Sequence, residues 1–100
     1  MQDLIRQAQM LQKKMATMQE ELKKKVVEAS AGGGMVVVKA TGGQEIVEIK
    51  IDPTVVNPED VQMLEDLVLA ATNEALKKAK DMVQSEMSKL TGGLNIPGLF

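Results

Sequence analysis

Six cationic side chains in the first quarter of the sequence are the residues best suited to binding a ligand. Residues 1–25 carry a net charge of +3, whereas residues 26–57 carry −2 and residues 58–100 carry −3. Lys13 and Lys14 have no acidic residue three or four positions before them, so no helical ion pair from that side would neutralise them. Ammonium and guanidinium groups bind phosphate oxygens. A phosphate-contacting surface and a merely solvated helix face are equally compatible with this pattern, whose members are Arg6, Lys13, Lys14, Lys23, Lys24 and Lys25.

A second group of lysines, Lys77, Lys78 and Lys80, lies among acidic residues. Glu74 and Lys78 are spaced as a helical ion pair, and so are Lys77 and Asp81. This arrangement favours surface ion pairs over ligand binding. Because the chain has a single aromatic residue, Phe100, stacking on unpaired bases is disfavoured, and any nucleic acid bound would be a duplex held mainly through its phosphates.

The residue types that most catalytic and metal sites need are missing. The sequence contains no His and no Cys, which removes the commonest general base, the thiolate nucleophile and the usual zinc ligands. The adjacent acids Glu59–Asp60 and Glu65–Asp66 would diverge by about 100° on a helix and would not converge on one cation. Gly32–Gly34 lacks the Gly-Lys-Ser/Thr continuation of a phosphate-binding loop. The sequence therefore predicts no enzyme, no catalytic residue, no metal, no cofactor and no small-molecule substrate.

The first helix carries a heptad seam. Apolar residues follow one another at spacings of 4, 3, 4, 3 and 4, which gathers them into one narrow stripe on a helix about 35 Å long. The stripe predicts packing against the other long helix, a second copy of the chain, or both. Its members are Leu4, Ala8, Leu11, Met15, Met18 and Leu22.

The order of elements predicts an α+β fold. A helix from Gln2 to Lys24 is followed from Val26 by a period of two, which indicates a three-stranded antiparallel meander with turns at Gly32–Gly34 and Gly42–Gly43. The second of these turns is expected to need positive φ. A second long helix then completes the order α-β-β-β-α, so two long helices flank the meander.

The apolar residues of the strands indicate a further layer. The second strand, Met35–Thr41, is apolar on both sides, which predicts cover on each face and a second subunit to supply one of them. In the third strand Val47, Ile49 and Ile51 are expected on one face and Ile46 on the other. The protein is therefore expected to be dimeric.

The second helix is expected to start with Asn57 as its N-cap and Pro58 in its first turn. It should end near Leu90, before Gly92–Gly93. We predict a single domain over residues 1–91 and an apolar tail containing Gly and Pro over residues 92–100, either mobile or docked on a partner. The N-terminus has no apolar core of a signal peptide, and no apolar run is long enough to span a membrane. A soluble, cytoplasmic protein without a membrane partner is expected.

At this point the chain resembles the YbaB/EbfC family of bacterial nucleoid-associated proteins over nearly its whole length. The resemblance rests on the order and spacing of several segments, none of which is a catalytic signature. They are the helix Ala8-Gln9-Met10-Leu11-Gln12-Lys13-Lys14-Met15, the glycine-containing meander, the strand exit Ile49-Lys50-Ile51-Asp52-Pro53, the segment Leu64-Glu65-Asp66-Leu67 with Ala71, Asn73 and Ala75, and the tail Leu94-Asn-Ile-Pro-Gly.

The resemblance implies a cytoplasmic homodimer located in the nucleoid, shaped like tweezers, whose helical arms bind duplex DNA. It implies a role in organising the nucleoid and in regulating expression. DNA contact is thereby assigned to Arg6, Lys13, Lys14 and Lys23–Lys25, and more weakly to the α-helical lysines Lys77, Lys78 and Lys80.

Two functions of different classes follow. The first is a dimeric protein that binds duplex DNA through phosphates with low sequence selectivity. The alternative is a protein-interaction module that acts through its methionine-bearing helix surface or the tail from Leu94 to Phe100, with DNA binding incidental. If changing Lys13 and Lys14 removes DNA affinity but leaves the dimer intact, the result favours the first function over the second.

Overall fold

The computed structural model describes residues 2–91, and it confirms the α-β-β-β-α order. A single 3-10 turn, Pro53–Val55, was not expected from the sequence. The remaining elements are α1 (Gln2–Lys24), β1 (Val26–Ala31), β2 (Val36–Thr41), β3 (Ile46–Ile51) and α2 (Val61–Thr91). The predicted tail, residues 92–100, lies outside the described residues.

The sheet is an antiparallel meander with the strand order β1-β2-β3. Ala29 is opposite Val38 in the first pair of strands, and Val38 is opposite Ile49 in the second. The β1–β2 turn contains Gly32, Gly33 and Gly34 at φ values of 64°, 66° and 94°. Side chains with a Cβ rarely adopt such angles, so three consecutive glycines make this turn possible.

The expectation of positive φ at Gly42–Gly43 is wrong. The one left-handed residue of the β2–β3 turn is Gln44, at φ 63°. Gly42 is needed for a different reason, because a Cβ there would run into the backbone carbonyl oxygen of Leu22 at the end of α1. This glycine therefore allows α1 to lie against the turn.

A stripe of alanines on α2 forms the centre of the core. Ala71, Ala75 and Ala79 are fully buried, and they pack against Val36 and Val38 of the central strand. Small side chains at every fourth residue bring the helix close to the sheet, and α2 covers β1 and β2. The core therefore lies between the alanine stripe of α2 and the central strand.

The predicted faces of the strands need two corrections. Ile46 lies on the helix-covered face with Ile49, because a bulge between Lys39 and Ala40 places Ala40 opposite Ile46. The other face of β2 is partly polar, since Lys39 lies there and its Nζ is 3.1 Å from Glu48 Oε2. That face is half-buried in the single chain.

The start of α2 also differs from the prediction. Asn57 does not cap the helix but forms a tight turn, in which its Oδ1 accepts from the Glu59 amide at 3.0 Å. The helix begins at Val61. Asp60 Oδ1 accepts from the Met63 amide at 3.3 Å and so takes the capping position. Asparagine favours both turns and caps, so the sequence alone did not distinguish them.

The heptad seam of α1 is covered over only part of its length. Leu22 is buried and Met18, Met15 and Leu11 are half-buried, whereas Leu4 remains 69% exposed. The two helices run antiparallel, because Leu22 lies beside Val83 of α2 while the middle of α1 lies beside Leu90. The first part of α1 therefore projects past the end of α2, and the molecule measures 70 × 21 × 16 Å.

Candidate nucleic-acid interface

The projecting part of α1 carries three cations without an ionic partner. Arg6, Lys13 and Lys14 are exposed, and within residues 2–91 none of them forms an ion pair. Arg6 and Lys13 are seven residues apart, which returns them to nearly the same side of the helix about 10 Å apart along its axis. Their charge is available to a ligand that approaches the helix from that side.

The lysines at the end of α1 are mostly engaged within the chain. Lys23 Nζ lies 3.3 Å from Glu20 Oε1, and Lys25 Nζ lies 3.9 Å from Glu86 Oε1. Glu86 also approaches Lys89, at 3.7 Å. Lys24 is exposed and, among the described residues, has no ion pair. Of these three lysines, Lys24 is therefore free among the described residues, whereas Lys23 and Lys25 are partly neutralised.

On α2 the predicted ion pairs do not form. Within the described residues neither Glu74 with Lys78 nor Lys77 with Asp81 comes within ion-pair distance. Lys78 Nζ donates instead to the backbone carbonyl oxygen of Glu28 in β1, at 2.9 Å. An ion pair between exposed helix side chains contributes little to stability. A hydrogen bond from an ammonium group to a strand carbonyl oxygen is charge-assisted and contributes more.

The free cations form two separate groups. Lys77 and Lys80 lie on the part of α2 that is next to the sheet, and both are exposed. Leu90, which meets the middle of α1, is about 15 Å further along the helix axis than Lys80. The structure does not bring the α2 lysines together with Lys13 and Lys14 into one site of a single chain.

An apolar groove beside Lys13 and Lys14 was not anticipated from the sequence. It measures about 570 Å³ and lies between α1 and the end of α2. Met10 and Leu90 contribute apolar walls, and Glu21 is the one acidic lining residue. Met10 is 57% exposed, and the sequence signal that could have indicated this surface is that Met10 is a large apolar residue outside the heptad seam. The groove is lined by Met10, Lys13, Lys14, Thr17, Met18, Glu21 and Leu90.

The described residues contain neither a metal site nor a membrane span. No group of three or more carboxylate, His or Cys side chains is placed to hold a metal ion within residues 2–91. No helix in this part of the chain is long and apolar enough to cross a membrane.

Comparison with solved structures supports the fold. The chain superposes on an uncharacterized protein from Helicobacter pylori with a TM-score of 0.73, covering 89% of this chain and 94% of that one. Sequence identity between the two is 24%, so this similarity concerns the fold alone.

Comparison with known sequences identifies the family. The chain is 59% identical over 100 residues to a nucleoid-associated protein of Clostridium kluyveri, covering 100% of this chain and 88% of that protein. It is 61% identical over 99 residues to a nucleoid-associated protein of Acetivibrio thermocellus, covering 98% and 88%. The sequence pattern of the YbaB/EbfC DNA-binding family matches residues 1–94. The chain therefore belongs to the YbaB/EbfC DNA-binding family.

Proposed function

We propose that this protein is a nucleoid-associated homodimer that binds duplex DNA mainly through phosphates and with low sequence selectivity. The observation that carries the proposal is the set of exposed, unpaired cations on the projecting half of α1, namely Arg6, Lys13 and Lys14. Membership of a DNA-binding family and relatives named nucleoid-associated proteins support it. The protein acts in the nucleoid as a structural organiser rather than as an enzyme.

The chemistry of the cations favours phosphate contact over base recognition. Lys13 and Lys14 are flexible point charges, and Arg6 is the only arginine of the chain. Phosphate contacts position a protein on a duplex but carry no sequence information. Gln2, Gln7 and Gln9 could also contact base edges, but within residues 2–91 no second element packs beside them on the projecting half of α1 to fix their orientation. Binding is therefore expected to depend on salt rather than on sequence.

The exposed apolar surface of β3 supports the homodimer. Ile49 and Ile51 point to the face of the sheet that α2 covers only over β1 and β2, and they are 46% and 39% exposed. Leu69 and Val68 of α2 continue this surface beside Ile51 in one apolar groove. A contiguous apolar surface of this kind is typical of a protein interface.

A second copy fits this surface because a two-fold axis would place the same residues against each other. In such an interface both subunits contribute the same surface, so apolar side chains of one copy contact apolar side chains of the other. Among residues 2–91, no strand pairs with the outer edge of β3. The proposed interface is therefore β3 with the adjoining side of α2, whereas the α1 arms stay free for the duplex.

A dimer of this acidic chain would bind a polyanionic ligand only through a local concentration of cations. The chain has a net charge of −2, which disfavours DNA at long range. Two α1 arms double the number of free cations on one particle, and about four to eight phosphates would be neutralised per dimer. Glu65 and Asp66, near the start of α2, lie at the opposite end of the chain from the arms.

A titration of a labelled duplex of about 30 base pairs at low and at physiological salt tests the proposal. The expected result is binding that weakens steeply with salt, with a slope of about −4 to −7 in a plot of log K against log salt. Two duplexes of unrelated sequence should give the same affinity within a few-fold. No binding at low salt would contradict the proposal and would favour the protein-interaction module.

A further inference from the structure

The apolar groove between α1 and the end of α2 lies where the chain leaves the second helix. Leu90, the last residue of α2 whose side chain is described, forms one wall, and Met10 and Met18 of α1 form the others. Further along α1, on the same side of the helix as Met18, lies Leu4, which is 69% exposed. The described residues leave this whole flank of α1 without cover.

The direction of the chain favours a particular occupant. Because α2 runs antiparallel to α1, a chain that continues past Thr91 moves towards the start of α1. The nine residues from Gly92 to Phe100 reach about 30 Å when extended. The α1 segment from Lys13 back to Gln2 is about 17 Å long. The segment after α2 is therefore long enough to follow the exposed flank of α1.

The composition of that segment matches the groove. Residues 92–100 contain no charged side chain, and four of the nine are large and apolar: Leu94, Ile96, Leu99 and Phe100. The methionine side chains of the groove are flexible and adapt to apolar partners of varied shape. The stems of Lys13 and Lys14 can pack along an apolar chain while their ammonium groups stay in water.

We propose that residues 92–100 of the same chain dock in this groove and cover the flank of α1 from Met18 towards Leu4. The direct tether makes this contact intramolecular, with an effective concentration in the millimolar range for so short a connection. A free protein or a second copy would have to reach that concentration to compete. The proposal does not depend on DNA binding, and it assigns the groove to the chain itself rather than to another partner.

Methyl NMR of the full-length chain tests this contact. The ε-methyl signals of Met10 and Met18 report on the groove, whereas Met35 and Met63 lie elsewhere, beside the β1–β2 turn and in the first turn of α2. The variant replaces the four large apolar residues of the segment with Ser. We expect the Met10 and Met18 signals to move and the Met35 and Met63 signals to stay. Four unchanged signals would overturn the proposal.

Disulfide trapping tests whether the occupant belongs to the same chain, because the protein has no Cys of its own. Met10→Cys combined with Ile96→Cys places one thiol in the groove and one in the segment. The control pairs Ile96→Cys with Gln12→Cys, which lies on the other side of α1. Oxidation within one chain should be about tenfold faster for the first pair. Equal rates, or disulfides formed only between chains, would overturn the proposal.

Discussion

The ammonium group of Lys78 donates a hydrogen bond of 2.9 Å to the backbone carbonyl oxygen of Glu28. Glu28 lies on β1, an outer strand of the sheet. The bond joins α2 to the outer strand and provides a partner for a carbonyl 50 positions away in the sequence. It also assigns Lys78 a structural role, in contrast to the free lysines Lys77 and Lys80 on the same helix.

Replacing Lys78 with Met should therefore destabilise the protein without weakening DNA binding. The loss of one charge-assisted hydrogen bond corresponds to about 1 kcal/mol or somewhat more in the free energy of unfolding. Urea denaturation measures it, and Lys80→Met, which removes a charge from the same helix but no described hydrogen bond, is the control. The structural role would be wrong if both variants had the stability of the original protein.

The proposed dimer interface predicts that a charge on the apolar face of β3 separates the subunits. Ile49→Glu should give monomers in sedimentation velocity, because a carboxylate cannot be buried unpaired between two copies. DNA affinity should fall with it, since each monomer presents only one α1 arm.

The neighbouring residue provides the control for that experiment. Lys50 lies opposite Val37, on the other face of the sheet from Ile49, so Lys50→Glu should leave the dimer intact. If both variants, or neither, dissociate at micromolar concentration, the assignment of the interface to this face is contradicted.

Gly42 should be the glycine least tolerant of alanine. A Cβ at this position would overlap the carbonyl oxygen of Leu22, so α1 would have to move away from the β2–β3 turn. We expect Gly42→Ala to lower the free energy of unfolding by about 1–3 kcal/mol, as overpacking does. At Gly43 the nearest atom would be 3.4 Å away, so Gly43→Ala should cost less. Thermal denaturation of the two variants provides the comparison, and an equal effect would refute the explanation.

Asp52 provides a prediction about pH. Its Oδ1 accepts from the Thr54 amide at 2.9 Å and from the Thr54 hydroxyl at 2.7 Å, and these bonds hold the pKa of Asp52 below its ordinary value. Because the folded pKa is the lower one, the stabilisation is present above the unfolded pKa and is lost as the pH falls through the folded pKa.

The hydroxyl contribution can be separated by substitution. Thr54→Val should move the pKa of Asp52 part of the way back towards its ordinary value, since the backbone bond remains, and Thr54→Ser should keep it low. An NMR titration of the Asp52 carboxyl carbon follows the change. A pKa that is the same in the Val and Ser variants would mean that the hydroxyl has no role.

The features that the sequence predicted correctly depend on local patterns. The seven-residue spacing around Met15 and Met18 predicted α1, and the apolar run around Val38 between two glycine turns predicted the central strand. The errors concern contacts between distant segments. Gly42 is required by α1, Ile46 changes face because of a bulge, and Lys78 bonds to a distant strand. None of these is encoded by the residues immediately around them.

In the candidate site, too, the sequence predicted the features that depend on neighbouring residues and missed those that depend on distant segments. Composition alone identified the cationic segment of α1, because the charges are close together in the sequence. It could not show that Lys25 is next to Glu86 while Lys13 is unpaired, since that depends on how α2 returns along α1. The groove at Met10 was likewise hidden, because its wall includes Leu90 from the far end of the chain.

The salt dependence of DNA binding in matched double variants tests the central proposal most directly. Lys13→Gln with Lys14→Gln removes four free cations per dimer from the α1 arms, whereas Lys39→Gln with Lys50→Gln removes the same charge from the sheet. We predict that the first variant reduces the magnitude of the log K against log salt slope by about 3–4 and that the second leaves it nearly unchanged. Equal slopes in the two variants would contradict phosphate binding by the α1 arms.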